Sequence, residues 1–461
     1  MTLIKSISGI RGTIGGQPGD TLSPLDVLKF VSAYSIMLKN KFPNTKLTVV
    51  VGRDARISGP MINHIVIGTL NAMGINVVDV GLSTTPTVEM AVTDHKAHGG
   101  VILTASHNPK QWNALKLLNE FGEFINAAEG AELLEIAAKE EFDYADVDHL
   151  GKLHFDYDAI KSHIQHILEL ELVDVEAIQK ANFTVALDAV NSTGGISIVP
   201  LLKELGVDNI IELYTDPTGE FPHNPEPLPE HLTELSAAVV KHKADVGFVV
   251  DPDVDRLAIV MENGEMFNEE YTLVAVADYI LQHQKGNTVS NMSSTRALRD
   301  VTEKHGFSYS ASAVGEVNVV EMMRQTDTII GGEGNGGIIY PTLHAGRDAL
   351  VGIALFLTYL AKRNIKVSEL RAEYPAYFIS KNKIQLDESM DVDAVLHSMA
   401  EKYKDEKVTT IDGVKIDFAK SWVHLRKSNT EPIIRIYAEA LSMEEANGLA
   451  VEIIEQIKAL L

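Results

Sequence analysis

Short β-rich runs alternate with amphipathic stretches along most of this chain, and this alternation limits its fold more than any other feature. The β-rich runs predict strands at residues 47–51, 76–80, 183–187, 210–213, 246–250, 288–292 and 328–331. The amphipathic stretches predict helices at residues 196–205, 231–242, 297–305 and 348–361, and at 58–73 with Ser58 as N-cap. Because strands that alternate with helices form right-handed βαβ units, we expect parallel or mixed sheets covered by helices.

The C-terminal part of the chain has a different pattern. Residues 414–418, 421–425 and 433–438 predict antiparallel strands, and residues 443–460 predict a final helix. The chain of 461 residues is also longer than one hydrophobic core usually serves. We therefore predict an α/β fold of four domains around a central cleft. Three related α/β domains with mixed sheets would span residues 1–155, 156–257 and 258–369, and an α+β domain would span 370–461.

The composition argues against several classes of protein. The chain has no cysteine, which excludes disulfides, zinc-thiolate sites and a cysteine nucleophile. Its formal net charge of -24 argues against nucleic-acid binding, which needs a basic surface. The N-terminal residues show no signal pattern, and no apolar run is long enough to span a bilayer. We expect a cytoplasmic protein with neither nucleic acid nor membrane as a partner.

One predicted strand in each α/β domain is followed by an unusual polar loop. These loops lie at residues 104–110, 251–256 and 332–337. In open α/β sheets, ligands bind at the carboxyl ends of the strands. We therefore expect the three loops to converge on the central cleft.

The first polar loop presents a serine, Ser106, shortly after the apolar run 99–103. One interpretation is an ordinary polar turn that Pro109 terminates. A serine hydrolase is disfavoured, because the Gly-x-Ser-x-Gly elbow is absent and His107 is adjacent in sequence to the hydroxyl it would activate. The other interpretation is a phosphoserine, for which Lys116 supplies positive charge ten residues later and Arg11, on a flexible turn near the start of the chain, offers another cation.

The second polar loop carries three carboxylates at alternate positions, Asp251, Asp253 and Asp255. Carboxylate oxygens are hard ligands that suit Mg²⁺ or Ca²⁺. An EF-hand is disfavoured because Arg256 occupies the position that needs glycine and the flanks resemble strands, with a hairpin turn at 262–265. A solvated acidic turn is disfavoured because three close carboxylates repel one another unless a cation neutralises them.

Magnesium usually keeps open coordination positions for water or phosphate oxygen. Three aspartate ligands together with a phosphate on Ser106 would suit it. Arg256, directly after the cluster, is placed to hold a phosphoryl oxygen during transfer.

Two further loops carry binding chemistry. The glycine-dense segment 331–337 lacks the dinucleotide-binding order and contains a carboxylate, so Glu333 and Asn335 suit sugar hydroxyls better than a pyrophosphate. The segment 426–432 places a guanidinium, two hydroxyls and an amide in one turn, and Arg435 follows closely. It is either an anion cradle or an ordinary polar turn.

Taken together, the four loops resemble the α-D-phosphohexomutase superfamily over essentially the whole chain. In that family, a Ser-His-Asn-Pro loop carries the phosphoserine and an Asp-x-Asp-x-Asp-Arg loop binds Mg²⁺. A Gly-Glu-x-Ser/Asn-Gly loop holds sugar hydroxyls, and an Arg-x-Ser-Asn/Gly-Thr-Glu-Pro loop holds the substrate phosphate. All four motifs occur here in the same order.

The resemblance implies a role for each matching residue. Ser106 would carry the phosphoryl group and contribute to the metal site, whose other ligands would be Asp251, Asp253 and Asp255. The residues that would assist transfer are Arg11, His107, Lys116 and Arg256. Glu333 and Asn335 would contact the sugar. The residues that would hold the substrate phosphate are Arg426, Ser428, Asn429, Thr430 and Arg435.

The implied activity is interconversion of hexose 6-phosphate and hexose 1-phosphate through the phosphoserine and a bound hexose 1,6-bisphosphate. One Mg²⁺ per chain and the 1,6-bisphosphate, as activator and intermediate, would be required. Ala105 and Glu316 favour glucosamine phosphate as the substrate, whereas glucose and mannose phosphates remain open. A metal-dependent sugar phosphatase and a non-catalytic binding protein are the alternatives from other classes. Both a monomer and a dimer fit the sequence.

Three segments depart from the family pattern. Gly337 stands where many members have a histidine. Many members have a lysine before the Thr-Arg pair of the third domain, whereas this chain has Ser293 and Ser294 before Thr295 and Arg296. Glu316, after Val314 and Gly315, replaces a histidine or aspartate in the loop that usually discriminates between substrates. Because Gly337 stands in place of the histidine that follows the sugar loop, any acid/base role of that histidine is lost or has moved to another residue.

Overall fold

The computed structural model describes residues 2–6, 9–385, 391–427 and 433–459. These residues form two compact units, Met1–Thr272 with Asn335–Ser368 and Leu273–Gly334 with Glu369–Leu461. We call them the first and the second unit and describe each by itself.

The first sheet combines parallel and antiparallel pairs in the order β1-β2-β6-β5-β3-β4-β7. Its strands are β1 (Ile4–Ser6), β2 (Gly9–Thr13), β3 (Thr48–Arg53), β4 (Asn76–Leu82), β5 (Gly99–Leu103), β6 (Trp112–Leu118) and β7 (Leu153–Phe155). The helices along this segment are α1 (Pro24–Lys41), α2 (Gly59–Ala72), α3 (Thr85–Asp94) and α4 (Ala127–Lys139). Strands β3, β4 and β5 run parallel, whereas β6 is antiparallel to β5.

Local sequence explains where the first helix begins. Ser23 caps α1, its Oγ accepts from the backbone N–H of Asp26, and the Asp26 carboxylate accepts from the backbone of Ser23. This reciprocal capping box satisfies N–H groups that have no partner inside the helix. Ser58 precedes α2 as predicted but makes no capping bond. Its Oγ instead accepts a 2.9 Å hydrogen bond from Asn113 Nδ2, which ties the start of α2 to β6.

The second sheet has the order β11-β10-β8-β9. Its strands are β8 (Thr184–Asp188), β9 (Asn209–Leu213), β10 (Val246–Val250) and β11 (Leu257–Met261). The helices are α5 (Ala159–Leu168), α6 (Val175–Ala181), α7 (Gly194–Glu204) and α8 (Thr233–His242), with a short 3-10 helix at Pro229–His231. Every residue of β10 is buried, as is typical of a strand covered on both faces. The acidic loop joins β10 to its antiparallel neighbour β11.

The third sheet has the order β13-β12-β14-β15. Its strands are β12 (Asn287–Asn291), β13 (Tyr309–Ser312), β14 (Thr328–Glu333) and β15 (Gly337–Ile339). The helices are α9 (Glu269–His283), α10 (Ala297–Lys304), α11 (Glu316–Gln325), α12 (Ala349–Arg363) and α13 (Val367–Ala372). Asp348 caps α12 by accepting from the backbone N–H groups of Leu350 and Val351.

The fourth sheet is antiparallel throughout, in the order β16-β20-β19-β18-β17. Its strands are β16 (Phe378–Gln385), β17 (Lys407–Thr409), β18 (Val414–Asp417), β19 (Trp422–Lys427) and β20 (Ile433–Ala440). The helices are α14 (Val392–Lys402) and α15 (Met443–Lys458), and Ile453 and Ile457 of α15 belong to the same buried cluster as Ile434 and Ile436 of β20.

The predicted fold class is confirmed: three α/β segments carry mixed or parallel pairing, and an antiparallel α+β segment follows them. The three boundaries between the four domains remain predictions. Since β11 pairs with β10, continuity of the second sheet would extend the second domain to Met261, beyond the predicted boundary at 257/258. Among the described helices, none combines the length and the apolar character that a membrane crossing requires.

Candidate active site

The predicted phosphoserine, Ser106, lies in the loop after β5 and has a left-handed backbone conformation, with φ of 49°. Non-glycine residues adopt this conformation infrequently, so the surrounding contacts must hold it. The Ser106 N–H donates to Thr104 Oγ1 at 2.9 Å, and Thr104 Oγ1 donates to Asp54 Oδ2 at 2.7 Å. These hydrogen bonds fix the Ser106 loop to Asp54, which directly follows β3.

A buried arginine that sequence analysis missed, Arg56, organises the same loop. Its Nε donates to Asp54 Oδ2 at 3.0 Å, and its side chain is fully buried. Its Nη1 and Nη2 atoms donate to backbone carbonyls of the loop, those of Ser106, Asn108, Pro109 and Trp112. A planar guanidinium with five donors in a fixed fork suits such a set of acceptors. The signal in the sequence was the polar segment 53–56, which follows β3, the parallel neighbour of β5.

The structure brings Ser106 together with the acidic loop. Ser106 Oγ donates to Asp251 Oδ2 at 2.7 Å. Asp251, Asp253 and Asp255 are all fully buried, and one carboxylate oxygen from each lies within 4.8 Å of the others. The structure therefore places these four residues together in the first unit, and their catalytic and metal-binding roles stay predictions.

Two buried cations contact the aspartates. Lys116 on β6 lies with Nζ 2.7 Å from Asp253 Oδ2 and 3.5 Å from Asp255 Oδ2. Arg347, which the sequence analysis did not identify, donates from Nη2 to Asp255 Oδ2 at 2.7 Å. Charge-assisted bonds of this kind offset part of the repulsion among the three carboxylates.

Arg256 and the first turn of α3 complete the contacts of the acidic loop. Arg256 Nε is 3.7 Å from Asp255 Oδ1. Thr85, the first residue of α3, donates from its backbone N–H to the Asp253 carbonyl at 2.8 Å and from Oγ1 to Asp253 Oδ2 at 2.5 Å. The N-terminus of a helix favours negative charge, so α3 adds a further stabilising field. Thr85 also escaped the sequence analysis, because nothing in its own segment indicates a catalytic contact.

Burial and mutual contact set the protonation of these groups. Burial lowers the pKa of the Lys116 ammonium, but Asp253 and Asp255 outweigh burial, so the net pKa lies above its ordinary value. Burial raises the pKa of Asp253, but Lys116 and Thr85 outweigh it and hold the pKa well below its usual range. Burial and the charges of Asp255 and Asp253 together raise the pKa of Asp251. Lys116 and Asp253 therefore form an ionised pair, whereas Asp251 is poised to gain a proton or a cation.

The aspartate cluster suits a hard divalent cation. Asp253 Oδ1 and Asp255 Oδ1 are buried, and neither has a hydrogen-bond donor among the described residues. Leaving buried carboxylate oxygens unsatisfied is costly, and oxygen ligands at this density are the preferred environment of Mg²⁺ or Ca²⁺. The strands that flank the loop exclude an EF-hand, and the predicted hairpin turn is present, with the Gly264 N–H bonded to the Met261 carbonyl.

Two further predicted residues lie near Ser106. His107 Nδ1 is 3.3 Å from Ser106 Oγ. Burial, followed by the charge of Arg256, lowers the pKa of His107 to about 2, so its imidazole is neutral. Arg11 is on β2, paired with Ala114 of β6, and its charge also disfavours protonation of His107. Arg11 thus adds to the positive potential around the serine.

The two predicted sugar contacts fall in different units. In the first unit, Asn335 Oδ1 accepts from the Gly337 N–H at 3.1 Å, and the Leu257 N–H donates to the Gly336 carbonyl at 3.1 Å. In the second unit, Glu333 is buried, and its Oε1 accepts from Asn291 Nδ2 at 2.7 Å and from the Gly315 N–H at 3.0 Å. Glu333 is thereby tied to the loop that begins α11.

The predicted phosphate cradle is described in part. Arg426 on β19 lies opposite Arg435 on β20, and Arg426 Nε is 2.9 Å from Asp412 Oδ2. The same Asp412 oxygen accepts from the Val314 N–H at 3.0 Å. Ser428, Asn429 and Thr430 lie outside the described residues.

At the position of the absent lysine, Ser293 Oγ forms a 2.9 Å hydrogen bond with His424 Nδ1. His424 Nε2 lies 2.7 Å from the Asp412 carbonyl, which can only accept, so Nε2 carries the proton and the serine hydroxyl donates to Nδ1. Burial lowers the pKa of His424 to about 4, which agrees with a neutral ring. A neutral hydrogen-bonded pair therefore lies in the segment where many family members have a lysine.

Comparison with known proteins assigns the family. Four models of the phosphoglucomutase/phosphomannomutase family match successive parts of the chain. Alpha/beta/alpha domains I, II and III match residues 3–144, 161–264 and 268–377, and the C-terminal domain matches residues 381–456. A phosphoglucomutase/phosphomannomutase of Thermococcus kodakarensis is 36% identical over 453 residues, covering 96% of this chain and 98% of the relative. A probable phosphoglucosamine mutase of Methanopyrus kandleri is 30% identical over 456 residues, covering 98% of this chain and 97% of the relative.

The fold agrees with these matches. The crystal structure of a phosphoglucomutase/phosphomannomutase family protein from Burkholderia thailandensis has a TM-score of 0.85 and 25% identity, covering 99% of this chain and 98% of that chain. The sequence and fold matches both extend over nearly the whole length. The chain therefore belongs to the phosphoglucomutase/phosphomannomutase family, within the α-D-phosphohexomutases.

Proposed function

We propose that this protein is a phosphohexomutase that uses Ser106 as its phosphoryl carrier and acts chiefly on glucosamine phosphate. The observation that carries the proposal is the 2.7 Å hydrogen bond from Ser106 Oγ to Asp251 Oδ2, inside a buried aspartate cluster. A serine so placed is close to a cation site and to the cations Lys116 and Arg256. Phosphoryl transfer depends mainly on such positioning and electrostatic stabilisation.

The proposal includes one Mg²⁺ per chain. Asp251, Asp253 and Asp255 would hold the cation together with an oxygen of phosphorylated Ser106. When bound, it would supply Lewis-acid neutralisation of the charge on the phosphoryl oxygens.

The side chains around Ser106 account for the transfer itself. In the first half-reaction, the bond between Ser106 Oγ and phosphorus breaks while the free hydroxyl of the hexose monophosphate forms a new bond to that phosphorus. Lys116 is protonated, so it stabilises negative charge on the phosphoryl group, and Arg256 adds a second cation. In the second half-reaction, the other phosphate of the hexose 1,6-bisphosphate returns to Ser106. The proton that one half-reaction releases is taken up in the other, and the net change is an isomerisation.

The bisphosphate must present each of its phosphates to Ser106 in turn. We assign Arg426, Arg435 and residues 428–430 to hold the phosphate that is not reacting, since Arg426 and Arg435 are cross-strand neighbours. Asn335 and Glu333 would contact the sugar hydroxyls. Hexose 1,6-bisphosphate would then also act as activator, because it phosphorylates any enzyme that has lost its phosphoryl group.

Carboxylates in the second unit support an amino sugar as the substrate. Glu316 is the first residue of α11, directly after Gly315, whose N–H donates to Glu333. Asp412 accepts from the N–H of Val314 in the same loop. A substrate ammonium gains from a nearby carboxylate, whereas a neutral hydroxyl gains much less. The name of the Methanopyrus kandleri relative also supports this substrate.

A second candidate has support of its own. The Thermococcus kodakarensis relative, at 36% identity, carries the name phosphoglucomutase/phosphomannomutase. Glucose and mannose phosphates have no ammonium, so Glu316 would then have no ion pair with the substrate.

Phosphorus NMR of the purified protein tests the proposal. The 6-phosphates of glucosamine, glucose and mannose would be compared with Mg²⁺ and a trace of the matching 1,6-bisphosphate, and a Ser106→Ala sample would be the control. We expect conversion to the 1-phosphate without free phosphate, and the fastest conversion with glucosamine. Faster conversion of glucose or mannose phosphate would favour the second candidate. Release of free phosphate would indicate a phosphatase, and no change with any sugar would indicate a binding protein.

A further inference from the structure

Arg347 is a buried cation of the active site to which neither the sequence motifs nor the proposed steps give a role. It lies between β15 and α12, and its Nη2 donates to Asp255 Oδ2 at 2.7 Å. The Arg347 side chain is 10% exposed and that of Asp255 is fully buried. A pair so enclosed differs from a surface ion pair, because removing either partner leaves a buried charge unpaired.

The backbone on both sides of Arg347 is fixed, which determines the direction of its side chain. The Asp348 N–H donates to the Ile338 carbonyl at 2.8 Å, and the Ala349 N–H donates to the Val254 carbonyl at 3.2 Å. The first turn of α12 therefore contacts the acidic loop through the backbone, while Arg347 contacts it through the side chain. The Asp348 side chain is held in turn by His163, whose Nε2 is 2.9 Å from Asp348 Oδ2.

Gly337 provides the space that Arg347 occupies. A Cβ atom at Gly337 would lie 2.3 Å from Cδ and 3.0 Å from Cγ of Arg347. Gly337 is not among the glycines with positive φ, so its backbone conformation is open to other residues. The close approach of the Arg347 stem is therefore the reason for glycine at this position. Gly337 and Arg347 form a matched pair.

The contact with Arg347 orients the Asp255 carboxylate. Asp255 Oδ2 accepts from Arg347 at 2.7 Å and lies 3.5 Å from Lys116 Nζ. Asp255 Oδ1 is buried without a hydrogen-bond donor among the described residues. Oδ2 is thus held by Arg347 and Lys116, whereas Oδ1 lies 3.7 Å from Arg256 Nε, too far for a hydrogen bond, and is open to a divalent cation. Hydrogen bonds to a ligating carboxylate usually raise metal affinity because they fix its orientation.

We propose that Arg347 is a positioning residue for cation binding: it presents Asp255 Oδ1 to the metal, and Gly337 exists here to admit its side chain. This inference rests on the proposed function for its role in turnover, although its effect on cation binding does not. The same pairing would make the site depend on two positions, 337 on β15 and 347 in the loop before α12.

Whether the loss of Arg347 weakens or tightens cation binding distinguishes a positioning role from simple charge compensation. If Arg347 only neutralised the aspartates, its removal would increase the negative charge and tighten cation binding. If it positions Asp255, its removal weakens cation binding, by about 10- to 100-fold for a supporting partner of this kind. The two roles therefore predict changes of opposite sign.

Titration with Mn²⁺, followed by electron paramagnetic resonance of the free ion, measures this affinity directly. We expect Arg347→Gln to weaken Mn²⁺ binding by about 10- to 100-fold and Arg347→Lys to recover part of the loss, because lysine keeps the charge but not the fork. Gly337→Ala should weaken binding although Arg347 is still present. The double variant should lose no more than Arg347→Gln alone, since both changes break the same contact.

Two matched substitutions control for general damage. Gly68→Ala changes a glycine on α2 whose added Cβ would meet nothing within 4 Å, and Arg363→Gln changes an exposed arginine on α12. Both should leave Mn²⁺ affinity and turnover unchanged. Melting curves would establish that the test variants are folded, and a variant that does not fold would be replaced by Arg347→Met.

Unchanged or tighter Mn²⁺ binding in Arg347→Gln would overturn the inference, as would additive losses in the double variant. Turnover gives an independent comparison. A wild-type protein without mutase activity would contradict the proposed function while the Mn²⁺ measurement still decided the role of Arg347. If the wild type has mutase activity but the Arg347 and Gly337 variants bind Mn²⁺ as tightly as it does, the proposed function stands and only the inference on Arg347 is rejected.

Discussion

Ser106 and Asp251 are 145 residues apart in the chain, yet Ser106 Oγ donates a 2.7 Å hydrogen bond to Asp251 Oδ2. The serine comes from the loop after β5 of the first sheet, and the aspartate comes from the loop after β10 of the second sheet. This one contact joins a nucleophilic hydroxyl to a candidate cation site. The proposed phosphoserine mechanism rests on this contact.

The first prediction concerns this hydroxyl. Ser106→Ala should lower mutase turnover by at least about 1,000-fold, because the phosphoryl carrier is removed and no other group can replace it. Intact-mass spectrometry after incubation with hexose 1,6-bisphosphate should detect a phosphoryl adduct on the wild type and none on the variant. Ser162→Ala, at an exposed serine on α5, is the control. An adduct on Ser106→Ala would show that another residue carries the phosphoryl group.

The second prediction concerns Arg56, which donates from Nη1 to the carbonyls of Pro109 and Trp112 at 2.8 and 2.9 Å. Arg56→Lys should destabilise the protein by about 3 kcal/mol, because lysine keeps the charge but not the fork, so that several buried carbonyls lose their donors. Turnover should fall as well, since the Ser106 loop loses its support. Urea unfolding measures the loss, and Arg363→Lys is a control at an exposed arginine. A stability equal to that of the control would mean that the loop is held by other contacts.

The third prediction concerns Glu316 and the choice of sugar. Glu316→Gln should lower kcat/KM for glucosamine 6-phosphate by about 10- to 100-fold, which corresponds to one charge-assisted hydrogen bond. The kcat/KM for glucose 6-phosphate should change little, because glucose has no ammonium that could pair with Glu316. Glu321→Gln, on the exposed face of the same helix, is the matched control. Equal losses with both sugars would exclude a role for Glu316 in recognising the amino group.

The fourth prediction concerns the pH dependence of stability at His344. Burial lowers the pKa of His344, but Asp348 and Glu89 outweigh burial and raise it from 6.5 to about 10. Since the pKa of His344 is raised in the folded state, protonated His344 stabilises the fold. This contribution is complete below pH 6.5 and is lost as the pH rises through 10. Asp348, whose pKa the histidines hold well below its usual range, stays ionised across this window.

Unfolding free energies at several pH values measure this contribution. Between pH 6.5 and 10, the wild type should lose stability on the order of a few kcal/mol more than His344→Gln, since each pKa unit corresponds to about 1.4 kcal/mol. His149→Gln, at an exposed histidine, should follow the wild-type curve. Parallel curves for wild type and His344→Gln would show that His344 is neutral in the folded protein.

Several elements could be predicted closely because their local sequence is sufficient. The predicted strand at 246–250 coincides with β10 (Val246–Val250), and the predicted final helix begins with α15 (Met443–Lys458). In β10 an unbroken apolar run matches burial on both faces, and in α15 an apolar stripe faces the fourth sheet. The strands β1 and β2 and the helix α1 were not predicted. The pairing of short strands such as β1 and β2 is decided by the neighbouring strand rather than by their own residues.

Ser58 is the N-cap residue of α2, as predicted, but its side chain makes no capping hydrogen bond, because a contact made on folding takes its place. Serine before a helix is a strong N-cap signal, but the Ser58 hydroxyl accepts from Asn113, which is distant in the sequence. Arg56, Thr85 and Arg347 were missed on the same grounds. Each lies outside the family motifs, and each acts on a loop that only folding brings near.

The sequence by itself determined the succession of strands and helices and the identity of the polar loops at the strand ends, because both follow from the spacing of residue types along the chain. It also identified Ser106 and the three aspartates through the family motifs. Only the tertiary structure decided which side chains hold them: Arg56 behind Ser106, Lys116 and Thr85 on Asp253, and Arg347 on Asp255. These contacts join residues from separate strands and helices, and their geometry depends on packing over long sequence separations that no local pattern contains.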